Sequence, residues 1–213
     1  METYEDDNLR LVKEGPFGSF ANNVYLIQDR SSGATVIVDA PTDATRILDA
    51  LDGGSVERII VTHRHPDHWM GIHELKSATN APVACHAEDA ERYKDKVDGA
   101  IADGEEIAVG SLRVRAIHTP GHTAGSTCFL IGRHLLSGDA LFPGGPGRTD
   151  NPDALRQSIE SITSRLLVLP DETLVHPGHG DGGSISQSKR EYAVFASKEH
   201  PADLCGDVNW ENS

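Results

Sequence analysis

The chain has 213 residues, enough to bury roughly two-thirds of its extended surface and to fold without disulfides. Nineteen basic against 33 acidic residues leave a formal charge of -14. Such a field repels phosphate backbones and anionic bilayers, so neither nucleic acid nor a membrane is an expected partner.

The first forty residues read as strands. Val24 to Ile27 and Thr35 to Ala40 are β-branched runs joined by the polar connection QDRSSG. Asp39, Pro41 and Thr42 mark a turn and a helix start, and Ile47, Leu48 and Leu51 give the helix its apolar side until Gly53-Gly54 stops it. A second buried strand, Val56 to Thr62, runs into the polar cluster HRHPDH. The stretch WMGIHELKSAT predicts a helix packing through Met70, Ile72 and Leu75, APVACH a short strand, and AEDAERYKDKV an exposed charged helix. From residue 100 the pattern alternates, with Leu112, Val114 and Ala116 on one face and Arg113 and Arg115 on the other. A hairpin turning at Gly132-Arg133 follows, then a Gly/Pro loop and a helix capped by Asn151 with Pro152 at its first position. TLVHPGHGDGG returns to strand and loop, ISQSKREYAVFASKE is the last helix, and the acidic tail 201–213 is expected to be loosely ordered.

No linker divides the chain, so one domain over 1–213 is expected. Its two similar halves, roughly 1–100 and 101–213, each offer strands followed by helices, which predicts two sheets packed face to face with helices outside. Cys85, Cys128 and Cys205 form no CxxC, and METYEDDNLR carries no apolar run of an export signal. A soluble protein of the reducing cytoplasm is therefore expected. A homo-oligomer stays open.

The densest chemistry lies in Thr62-His63-Arg64-His65-Pro66-Asp67-His68. His63 and His65, two apart in an extended loop, point the same way, and Pro66 redirects Asp67 and His68. Two pairs of donors with different directions suit two metal ions. Three later strand ends repeat the context of His or Asp beside glycine: His118-Thr-Pro-Gly-His122, Ser137-Gly138-Asp139 and His176-Pro-Gly-His179. Imidazole and carboxylate without thiolate suit zinc, and also iron or manganese. No GxSxG precedes a helix to offer a covalent serine route.

The stretches THRHPDH (62–68), PGHTAGS (120–126), GDALF (138–142), GRTD (147–150) and PGHG (177–180) resemble the metallo-β-lactamase fold superfamily, in its glyoxalase II-like branch. The resemblance implies an α+β fold, a four-layer αββα sandwich. It also implies a first metal on His63, His65 and His122, a second on Asp67, His68 and His179, and Asp139 bridging the two. The implied reaction is hydrolysis of a small thioester or ester by a metal-bridging hydroxide, with Asp67 orienting the nucleophile and passing its proton on. A mononuclear-iron persulfide dioxygenase and a small-molecule lactonase are the alternatives. Glyoxalase II enzymes carry a C-terminal helical extension with basic residues for glutathione, and this chain is expected to end too early for one. Asp39, at a strand end, is a candidate to fix a ligand tautomer, as are the hydroxyls of Thr62 and Thr123. Bulky Trp69 is expected beside the metals, either walling an apolar pocket or packing the loop that follows the ligands. Arg148 is expected to make a local salt bridge.

Overall fold

The computed structural model describes residues 1–213. The first sheet takes its strands in chain order: β1 (Glu2–Asp6), β2 (Leu9–Phe17), β3 (Asn22–Asp29), β4 (Ala34–Val38), β5 (Ser55–Ile60), β6 (Val83–His86) and β7 (Gly99–Ile101). It is antiparallel through β4 and parallel beyond, where helices α1 (Ala44–Asp49) and α2 (Ile72–Thr79) make the crossovers. The second sheet comes from the other half: β8 (Glu106–Val109), β9 (Leu112–His118), β10 (Thr127–Ile131) and β11 (His134–Gly138). A small ribbon, β12 (Leu141–Phe142) with β13 (Gly145–Pro146), follows, and β14 (Leu174–Pro177) and β15 (Gly183–Ser184) complete the sheet in the order β15-β14-β11-β10-β9-β8. Helix α3 (Ala87–Ala90) lies between β6 and β7, α4 (Pro152–Ser161) follows the ribbon, and α5 (Ile185–Ala196) follows β15.

Alternation along the strands makes three cores and hence four layers. On β3, Val24 and Leu26 join Ile47 of α1 with Ile72 and Leu75 of α2. Their neighbours Tyr25 and Ile27 meet Val114 and Ala116 of β9 and Phe129 of β10 between the sheets. On the far side, Cys128 and Leu135 pack under Leu155 of α4 and Ile185 and Phe195 of α5. The αββα architecture is thus built by single-residue alternation in both sheets. Asn151 caps α4 by accepting from Ala154 N at 2.9 Å, with Pro152 first in the helix as its sequence predicts.

Three local expectations are corrected. Met70 is 60 % exposed, and Trp69 takes the core place instead, stacked on Tyr93 at 4.1 Å with its indole N–H donating to His63 O. A short 3-10 turn over Pro66–His68 sets this direction. The charged stretch after β6 is α-helical only over Ala87–Ala90, and its Asp89 is fully buried. The tail is anchored: Trp210 is fully buried in the third core, its backbone N–H donating to Gly144 O at 2.8 Å, and Thr149 pairs with Gly206.

Candidate metal centre

Five strand ends meet at one rim of the sandwich: β4 delivers Asp39, β5 the 62–68 loop, the β9–β10 loop His122, β11 Asp139, and β14 His179. Backbone hydrogen bonds join the two sheets here, Thr127 N to Thr62 O at 2.9 Å and Asn23 N to Gly178 O at 2.7 Å. Parallel pairing of β11 with β14 brings Gly138-Asp139 beside Pro177-Gly178, so residues about forty apart in sequence become neighbours. Glycine is obligatory at two of these positions. A Cβ on Gly178 would lie 2.3 Å from Asp139 Oδ1, and Gly138, at φ +48°, would place one 2.6 Å from Thr62 Cβ.

All seven sequence-predicted residues come together, in overlapping groups that could hold metal: His63, His65 and His122; His63, His68 and Asp139; Asp67, His68 and His179. His65 Nδ1 lies 3.1 Å from His63 Nε2 and 2.9 Å from His122 Nε2. Across the site His68 Nε2 is 3.2 Å from His179 Nε2, and Asp67 Oδ2 is 3.4 Å from each. Asp139 lies between the groups, with Oδ2 3.7 Å from His122 Nε2 and 3.2 Å from His179 Nε2, and Oδ1 3.6 Å from His68 Nε2. His118 and His176 stay outside: His118 stacks on His86, and His176 meets His134.

The outer nitrogens show which way the lone pairs face. His122 Nδ1 donates to Arg148 O and His179 Nδ1 to Phe20 O, both at 2.8 Å. A carbonyl only accepts, so these rings carry their proton outward and turn a bare Nε2 inward. Asp39 does the same for two more rings. It accepts from His68 Nδ1 at 2.9 Å and from the Thr62 hydroxyl at 2.9 Å, and Thr62 Oγ1 in turn accepts from His63 Nδ1 at 3.0 Å. Inward-facing ring nitrogens only about 3 Å apart need a shared proton or a cation between them. Asp139 Oδ1 is buried with no hydrogen-bond partner, an arrangement equally suited to a cation. The donor set therefore fits divalent metal.

Electrostatics point the same way. Burial, then the neighbouring His68 and His122 rings, keeps His63 well below its ordinary pKa, and burial pulls His65 down to about 4. Burial opposes charge on His68, yet Asp39 and Asp139 outweigh it and raise the ring to about 9. Carboxylates that stabilise a proton on this ring stabilise a metal cation there as well. Asp139 would be raised by burial but is held low by His63, His68 and His179.

Two supporting residues were missed at the sequence level. Asn22 Nδ2 donates to Asp67 Oδ2 at 2.8 Å. Buried Asp89 accepts from Arg64 N, Gly125 N and the Thr123 hydroxyl, clamping the 62–68 loop to the His122 loop. A polar residue opening β3 was the signal available for Asn22; Asp89 sat in an ordinary charged run. Thr123 therefore holds Asp89 and no ligand ring. Of the two readings of Trp69 the structure shows the packing one: the ring is buried behind the loop against Tyr93. Arg148 makes no salt bridge; it lines a cavity of about 280 Å³ that also includes His122, Asp139 and Phe142. His179 and Asp67, with side chains 22 % and 17 % exposed, are the open face of the cluster, whereas His68 is sealed.

Residues 18–179 match the family model of the metallo-beta-lactamase superfamily. The hydroxyacylglutathione hydrolase of Cereibacter sphaeroides is 37% identical over 186 residues, covering 84% of this chain and 69% of that protein. The probable polyketide biosynthesis zinc-dependent hydrolase BaeB of Bacillus velezensis is 30% identical over 209 residues, 93% of this chain and 91% of that one. Among solved structures, ETHE1 from Myxococcus xanthus superposes with TM-score 0.77 at 32% identity, covering 88% of this chain and 86% of that chain.

Proposed function

The chain belongs to the metallo-β-lactamase superfamily, and on that basis we propose that it hydrolyses a small thioester or ester in the manner of a hydroxyacylglutathione hydrolase, using two zinc ions. The observation that carries this reading is the doubled donor set with Asp139 between its halves. We assign His63, His65 and His122 to one ion, Asp67, His68 and His179 to the other, and Asp139 to both. Zinc accords with an all nitrogen-and-oxygen donor set and with the relative named as zinc-dependent. Bound there, a pair of cations acidifies water and polarises a carbonyl.

The protein's own groups supply the rest. Asn22 holds Asp67 Oδ2, which faces His68 and His179, leaving Oδ1 to take a proton. A water oxygen adds to the acyl carbon while Asp67 accepts its proton. The carbon–sulfur bond then breaks and Asp67 returns the proton to the departing sulfur. Substrate approaches over His179, since the opposite side is closed by Asp39 and the outer core. No helix is long and apolar enough to cross a membrane. We place the protein in the cytoplasm, a reading supported by its three free cysteines.

A second reading draws on His63, His122 and Asp139 alone, two imidazoles and a carboxylate of the kind that binds a single iron in oxygenases. One experiment separates the two: metal-quantified protein given S-lactoylglutathione or glutathione persulfide, with thiol release and oxygen uptake followed together. We expect thiol release without oxygen uptake, and loss of about 10²–10⁴-fold in turnover for Asp67→Asn with the fold retained. Oxygen uptake proportional to iron would establish the second reading. Full activity in Asp67→Asn would remove its proton-transfer role.

A further inference from the structure

The cavity of about 280 Å³ beside His122 and Asp139 has a second wall, made by the C-terminal segment through Asp207, Val208 and Asn209. This wall is held firmly. Thr149 and Gly206 exchange backbone hydrogen bonds of 3.1 and 2.9 Å, Trp210 N donates to Gly144 O, and buried Glu191 of α5 accepts from Gly144 N at 2.8 Å. Val208 and Trp210 are buried, whereas Asp207 and Asn209 are exposed at the cavity mouth. Two charges line this cavity unpaired. Neither the Arg148 guanidinium nor the Asp207 carboxylate has an ion-pair or hydrogen-bond partner, although most basic side chains in this acidic chain are engaged. A guanidinium and a carboxylate placed on one opening can read a group that bears both charges, each meeting its opposite.

We propose that Arg148 and Asp207 form a subsite for the thiol portion of the substrate, selecting a carrier that bears both a carboxylate and a free ammonium, as an α-amino-acid head group does. Asp207 reads the ammonium and Arg148 the carboxylate, with the reacting carbonyl toward His122 and Asp139. This rests on the thioester reading and narrows its substrate class.

The test uses binding, so that it stands apart from turnover. S-butylglutathione, a thioether that cannot be hydrolysed, and its N-acetyl derivative, which lacks the ammonium, are titrated calorimetrically into the metal-loaded protein and into Asp207→Asn and Arg148→Gln. The wild type should prefer the free amine by about threefold, the scale of a solvent-exposed ion pair. Asp207→Asn should abolish that preference, Arg148→Gln should weaken both ligands alike, and added salt should shrink both effects. Equal binding of the two ligands by the wild type, no binding of either, or an Asp207→Asn effect common to both would overturn the subsite. Ligand discrimination without thioester hydrolysis would support the subsite and overturn the reaction. Hydrolysis without discrimination would do the reverse.

Discussion

Asp39→Asn probes how the rings facing the metal position are held. Asp39 is buried, and its carboxylate accepts from Thr62 N, the Thr62 hydroxyl and His68 Nδ1 at 2.8–2.9 Å. Its backbone is left-handed, at φ 67°, a region that asparagine tolerates, so the substitution changes the acceptor without straining the chain. An amide can still accept from Thr62 through its oxygen, but its NH₂ then faces the Nδ1–H of His68, donor against donor. The ring must lose that bond or move its proton to Nε2, the nitrogen turned toward the metal position. Losing such a partner typically costs about 10- to 100-fold in metal affinity, about 1.4–2.8 kcal/mol. His63 feels the change only through Thr62 and should be affected less. Competition against a chromophoric chelator should show two zinc sites in the wild type, with one falling by that factor in Asp39→Asn and the other by little. Equal affinities in wild type and variant would refute this account of ring orientation.

Gly178→Ala should drive its new Cβ against Asp139 Oδ1 and His68 Cε1, 2.3 and 2.8 Å away, lowering metal content and costing about 1–3 kcal/mol of stability. Gly180→Ala, with nothing within 4 Å but strained by its φ of +67°, should lose about 1–2 kcal/mol of stability yet keep full metal content, and so serves as the comparison in metal analysis. His176 packs in a row with His134 and Asp6, and burial, followed by His134 and Lys13, pulls its pKa down to about 3. Because the folded value lies below the ordinary 6.5, its contribution is complete above pH 6.5 and is lost as the pH falls toward 3. A shift of this size corresponds to at most about 5 kcal/mol. His176→Gln should flatten the acid side of the stability profile in denaturant unfolding of the metal-free protein; an unchanged slope would assign the acid sensitivity elsewhere.

The residues legible in the sequence are those whose chemistry is concentrated in short runs. Four of the seven donors lie within the six residues His63–His68, directly after a β-branched strand, and His122, Asp139 and His179 each follow a strand and touch a glycine or proline. Alternation also separated the faces of β9 before any contact was known, because Arg113 and Arg115 could not share a core with Val114 and Ala116. What escaped is the set of residues that only another strand gives meaning. Asn22 looks like a hairpin residue until the distant end of β14 packs His179 beside it. Asp89 looks solvated until two loops from opposite sheets aim their N–H groups at it. The tail has no periodicity, yet Val208 and Trp210 find a place against the third core, and their burial depends on that groove rather than on the local pattern. Trp69 and Met70 exchanged roles for a similar reason, since one 3-10 turn rotates the chain enough to bury the first and expose the second. Four of the donors are local in sequence because one loop leaving β5 aims them all at the rim. Their supports are scattered because each must reach the rim from a different strand, and that is why changes at Asp39, Asn22 or Asp89 should reach the chemistry without altering a ligand.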